Sequence, residues 1–129
     1  MAFHFERPAG FAHQAGQNAL FSLAGSSESR TFTIASAPHE PQLTVATRMR
    51  DSAFKRALGS AAPGLAVGID GPAGLMVLHE DERRPAVFLA GGIGITPFLS
   101  MARSLKGDFD FLVGIVTLFF ENVSASSLR

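Results

Sequence analysis

Two stretches of this 129-residue sequence carry residue types whose spacing could do chemistry. The first is Gly91-Gly92-Ile93-Gly94-Ile95-Thr96-Pro97, preceded by the apolar run Ala86-Val87-Phe88-Leu89-Ala90. Five apolar residues between charges and glycines predict a short buried strand. The glycines let the backbone turn sharply, Thr96 is placed to cap a helix, and Pro97 falls at the first helical position, where a missing N–H costs nothing. Strand, side-chain-free turn and helix start would aim N–H groups and the positive dipole end at one spot, which suits a phosphate. The second stretch is Arg30-Thr31-Phe32-Thr33-Ile34-Ala35-Ser36. On a strand Arg30 and Phe32 share a face. A guanidinium fork there would take phosphate, the aromatic plate would lie against a flat ring, and Thr33 would bond a ring nitrogen. Spacing alone leaves a plainer account of each stretch standing. The turn also fits a packed βα connection, because the third glycine of the dinucleotide pattern is absent and Pro97 stands there. The strand also fits an ordinary one with Phe32 inward and Arg30 in water.

The elements that must position these residues follow from patterning. Phe3-His4-Phe5-Glu6 alternates, which predicts a strand with both phenylalanines inward and His4 outward. Further strands are expected at 18–23, 30–36, 43–47 (Leu43 and Val45 on one face), 65–69 and 75–78, with turns at Gly25–Ser29 and Gly71-Pro72. Asp51-Ser52 can cap a short helix over 53–58, with Lys55 and Arg56 in its last turn and Gly59 past its end. Glu80-Asp81-Glu82-Arg83-Arg84-Pro85 reads as a solvated linker. Beyond it the grammar becomes strand, helix over 96–105, exit at Lys106-Gly107-Asp108 and buried strand over 115–120. Asp108 and Asp110 read as a polar face, not a metal pair. Many short strands followed by a strand–helix–strand unit predict two lobes with a cleft between them, where ligands bind.

Composition excludes several function classes. There is no cysteine, which rules out disulfides, thiolate zinc, a cysteine nucleophile and an iron–sulfur cluster carried by this sequence. Lys+Arg 11 against Asp+Glu 11 gives no reason to expect nucleic acid or an anionic membrane as partner. The apolar run Phe111–Phe120 is too short to span a bilayer. No charged leader with an apolar core opens the sequence, and a cytoplasmic location is expected.

Taken together, Arg30-x-Phe32-Thr33-Ile34-Ala35-Ser36-x-Pro38, Gly71-Pro72-x-Gly74 and Gly91-Gly92-Ile93-Gly94-Ile95-Thr96-Pro97 resemble the ferredoxin–NADP reductase family in order and spacing. The match runs from Phe3 to about Phe120. The resemblance implies a β-barrel plus α/β fold. Residues 1–80 would form a six-stranded-type antiparallel Greek-key FAD-binding barrel without its first strand, and 86–129 a truncated parallel βαβ NAD(P)-binding lobe. It implies that Arg30 contacts the flavin phosphates, that Phe32 replaces the usual tyrosine beside the isoalloxazine, and that Thr33 stands near flavin N5. Ile34, Ala35 and Ser36 would line the same groove, and Ser52 would be a second phosphate contact, with Arg48 and Arg50 close by. Gly91, Gly92, Gly94 and Thr96 would receive the phosphates of the nicotinamide nucleotide, and Glu121 is the candidate reader of a ribose hydroxyl.

The implied reaction is hydride transfer from NAD(P)H to FAD, with electrons passed to an iron–sulfur or haem protein such as ferredoxin, or to a small acceptor. The flavin does that chemistry, so neither a catalytic acid–base pair nor a metal is expected. The absent first strand and short second lobe set up a rival expectation. It is an inactive shortened reductase, serving as a flavin- or nucleotide-binding module or existing as an unstable fragment.

Overall fold

The computed structural model describes residues 1–81 and 86–105, with the backbone of 115–118. Expectations for Glu82 to Pro85, for Lys106 to Gly114 (Asp108 and Asp110 among them), and for Phe119 onward, including Glu121, lie outside the described residues. Four strands build most of the antiparallel region. They are β1 (Ala2–Glu6), β2 (Asn18–Leu23), β3 (Ser29–Thr33) and β4 (Gln42–Ala46). Helix α1 (Ala53–Gly59) and strand β5 (Val67–Ala73) follow. β1 pairs antiparallel with β4, and β2 lies between β3 and β5 in a second antiparallel sheet. Period-2 alternation turns Phe3 and Phe5 of β1 toward the core and leaves His4 exposed, bonded to Thr44 Oγ1 at 3.0 Å.

The core sits between the two sheets and α1. Ala19, Phe21, Ile34, Leu43, Val45 and Phe54 are completely buried. Rings run through it in sequence: Phe5 on Phe21 at 5.2 Å, Phe21 on Phe32 at 5.8 Å and Phe32 on Phe54 at 5.9 Å between centroids. Phe54 and Leu58, four residues apart, are the face that α1 buries. Ser52 is its N-cap, accepting from Lys55 N at 3.3 Å. Lys55 therefore stands in the first turn, not the expected last one, and Gly59 is the final helical residue, followed by Ser60 as C-cap.

The expected strand 30–36 ends early. At Ile34 the chain leaves β2 and crosses to the other sheet, where Ile34 bridges Val45 and Ala35 N donates to Thr44 O at 2.7 Å. Among the described residues the sheets do not close into a barrel. The fifth strand also differs. It continues through Gly71-Pro72 to Ala73, because a register shift opposite Asn18 and Leu20 absorbs the irregularity on an edge strand. The strand expected at 75–78 does not form. Val77 N donates locally to Leu75 O at 2.9 Å, and Leu75 is left 98% exposed.

In the parallel region β6 (Phe88–Gly91) pairs in parallel with β7 (Ile115–Leu118). A 3₁₀ turn over Gly92–Ile95 feeds straight into helix α2 (Thr96–Ser104), with Pro97 in its first turn. Phe88 of β6 stacks on Phe98 of α2 at 4.7 Å. Among the described residues no helix is long and apolar enough to cross a membrane.

Candidate functional site

A cleft of about 650 Å³ opens where the parallel region meets the antiparallel one. One wall is β3 (Arg30, Thr31, Phe32, Thr33), the end of β4 (Ala46, Thr47) and the α1 segment (Arg50, Ser52, Lys55). The facing wall is Leu89, Ala90, Gly91, Ile93, Gly94 and the first turn of α2. Met76, from the segment expected to be a strand, closes part of the rim. Beside the cleft a recess of about 530 Å³ is lined by Arg48, Arg50 and Lys55 against Gly91 to Ile93.

The site residues expected from sequence divide between this cleft and the interior. Arg30, Phe32, Thr33, Ser52, Gly91, Gly94 and Thr96 line the cleft, and Gly92 lies in the recess beside it. Ile34, Ala35 and Ser36 are buried, at 0%, 3% and 0% exposure, and are not among the cleft lining. The crossover between sheets puts them there. Ser36 has a structural task instead: its Oγ accepts from Thr44 N at 3.0 Å and its carbonyl accepts from Ser100 Oγ at 2.6 Å. His13 Nε2 donates to the same carbonyl at 3.3 Å, so α2 and the antiparallel region meet on one oxygen. Burial lowers the His13 pKa below 6.5 and the charge of Arg7 adds to that, against the raising effect of the Ser36 bond.

Two local details change the expected chemistry. Thr96 does not cap α2: the 3₁₀ turn makes it already helical, and its hydroxyl donates back to Ile93 O at 3.1 Å. At α1, Ser52 Oγ is occupied by Lys55 N, and Phe54 N donates to Glu28 Oε2 at 3.2 Å. A phosphate on this wall would therefore meet side-chain cations first. Lys55 Nζ donates to Arg48 O at 2.7 Å, and the Arg48 guanidinium lies against Gly92, whose φ of +53° and missing Cβ permit the approach. Among the described residues no carboxylate pairs with Arg48, Arg50 or Lys55, whereas Arg30 is paired with Glu28 at 3.2 Å. Sequence reading missed Glu28. Its place in the turn before β3 gave no period to read, and its other partner, Phe54 N, lies 26 residues away.

The donor set fits a ligand with phosphates and a flat ring. Unneutralised cations suit phosphate oxygens, and Phe32 presents an aromatic surface held by Phe21 and Phe54. An added Cβ at Gly94 would meet nothing within 4 Å, so a ligand can approach that backbone closely.

No family model matches the chain. It is 38% identical over 92 residues to methane monooxygenase component C of Methylosinus trichosporium, covering 70% of this chain and 27% of that protein. It is 37% identical over 106 residues to ferredoxin–NADP reductase B of Sorangium cellulosum, covering 78% and 43%. A ferredoxin NADP+ reductase from Neisseria gonorrhoeae, crystallised with bound FAD and NADP, superposes with a TM-score of 0.67 at 25% identity, covering 78% of this chain and 43% of that one. By sequence and by fold the chain belongs with the ferredoxin–NADP reductase-like proteins and corresponds to part of them. It spans less than half the length of the curated relatives named here.

Proposed function

We propose that the chain works as part of an NAD(P)H-dependent flavin oxidoreductase that accepts hydride from NAD(P)H on FAD and passes electrons to a redox partner such as ferredoxin, in the cytoplasm. Residues 1–80 are its FAD-binding domain, with the antiparallel strands belonging to a Greek-key barrel, and 86–129 are part of its NAD(P)-binding domain. The observation that carries the reading is the shared cleft. Arg30, Phe32 and Thr33 of one region face Gly91, Gly94 and Thr96 of the other across a single space. Arg30 and its cationic neighbours Arg50 and Lys55 hold phosphate, Phe32 flanks the ring system, and Thr33 offers a hydroxyl to its polar edge. The Gly91–Gly94 backbone leaves room for the nucleotide that must lie against that ring. Bound flavin supplies the electron-accepting chemistry; the chain supplies orientation and charge.

The test is direct. Purified chain incubated with FAD should retain a yellow chromophore, and NADH or NADPH should bleach it anaerobically. Arg30→Ala should weaken FAD binding about 10- to 100-fold, the loss of a charge-assisted fork worth roughly 1.5–3 kcal/mol. Unchanged FAD affinity in that variant would remove Arg30 from the site. Flavin retained without bleaching would leave a binding module in place of a reductase.

A further inference from the structure

The two walls of the cleft are tied together behind it. Ser100 lies one turn beyond Thr96 on the buried face of α2, so a shift at Ser100 reaches the cleft wall about 6 Å away along a rigid helix. It is completely buried, and its Oγ donates to Ser36 O at 2.6 Å. The other hydroxyls of α2 behave differently. Thr96 and Ser104 donate to carbonyls three residues back, Ile93 O at 3.1 Å and Met101 O at 2.7 Å, the local bond that serine and threonine make within a helix. Ser100 gives its proton to another element. The acceptor is held firmly too. Ser36 stands three residues past Thr33 of the facing wall and is completely buried. Ala35 N donates to Thr44 O at 2.7 Å and Thr44 N donates to Ser36 Oγ at 3.0 Å, so β4 grips the segment twice just ahead of that carbonyl. His13 Nε2 donates to the same oxygen at 3.3 Å. Arg103 of α2 also approaches this loop, with Nη1 3.9 Å from Glu40 Oε1, but both groups are partly exposed and such a pair contributes little.

We infer that Ser100 is a positioning residue for hydride transfer: its bond to Ser36 sets how far the Gly94–Thr96 wall stands from Phe32 and Thr33. The inference rests on the reductase reading of the cleft and adds the contact that fixes its width. In that reading a hydride passes from NAD(P)H to FAD across this space, giving NAD(P)+ and reduced flavin. The rate of such a step depends steeply on separation, and a misplacement of about 1 Å caused from outside the chemistry can cost on the order of 100-fold. Affinity is less sensitive, because flavin and nucleotide would each keep the contacts to their own wall.

Single-turnover reduction of the FAD-loaded chain by NADH and by NADPH, followed anaerobically by stopped-flow absorbance in wild type, Ser100→Ala and Ser104→Ala, tests it. Ser100→Ala removes the tie; Ser104→Ala removes a hydroxyl that bonds only within α2. In Ser100→Ala the limiting rate of bleaching should fall about 10- to 100-fold, while FAD affinity and the nucleotide concentration at half-maximal rate stay within about twofold. Ser104→Ala should keep the wild-type rate. A variant that is merely less folded bleaches less flavin at an unchanged rate, so amplitude and rate separate a structural role from a positioning one. A wild-type rate in Ser100→Ala, a loss carried by amplitude, FAD retention or nucleotide affinity, or an equal fall in Ser104→Ala would overturn the inference and leave the reductase reading intact. If neither nucleotide bleaches the wild-type chain, the reductase reading fails, and the inference falls with it.

Discussion

Phe21, Phe54, Ile34, Leu43 and Val45 are shut off from solvent between two small sheets and α1, while Val87, just before β6, and Leu89 on it remain 74% and 68% exposed. The antiparallel region has an interleaved aromatic core of its own. The parallel region is joined to it through a few close approaches: Ser100 on the Ser36 carbonyl, Met101 against Gly16, and Arg48 across Gly92. The first kind of cohesion is proportional to apolar area and tolerant of shape. The second depends on small residues letting backbone and side chains come near each other. The cleft lies between these two regimes, so its floor and its facing wall should fail separately.

The largest effect is expected in the aromatic core. Phe54→Ala removes the ring that backs Phe32 and should cost about 3–5 kcal/mol, measured by chemical denaturation. A cost under 1 kcal/mol would mean that the core does not run through α1. Gly16→Ala should come next, at about 1–3 kcal/mol. Gly16 has φ +97°, and a Cβ there would collide with the Met76 carbonyl and with Met101 Cε. Hydrogen exchange should rise over 96–104 more than over β2; a uniform rise would erase the distinction between the regions.

The smallest effect should come from His13. Its folded pKa is depressed, so the unfolded chain binds a proton that the folded chain refuses. Stability should be complete above about pH 6.5 and fall as pH drops through that value toward the folded pKa, then level off. His13→Gln should flatten this slope in thermal melts across pH 5–8. A slope unchanged by the substitution would place the titration elsewhere.

Much of this was legible in the chain. Strict alternation marked β1 and β4, and the Asp51-Ser52 cap marked the start of α1, because those signals are local. The apolar run Leu75-Met76-Val77-Leu78 looked like a strand for the same local reason and is not one: it satisfies an N–H within itself and pairs with no strand among the described residues. Ile34, Ala35 and Ser36 followed Phe32 in sequence but left the cleft, since the chain changes sheets at Ile34.

Residue order determined which groups are available: a guanidinium, an aromatic ring and a hydroxyl in one row, and a glycine turn running into a proline-started helix. Only the folded chain decided which of them face the same space. Whether a cation is free or neutralised depends on which carboxylate folding brings beside it. Arg30 meets Glu28, which also takes a backbone N–H 26 residues further along, and Arg50 and Lys55 meet no carboxylate among the described residues. Short-range stereochemistry is written into neighbouring residues, but electrostatic partnership is a long-range property set by how the sheets and α1 pack.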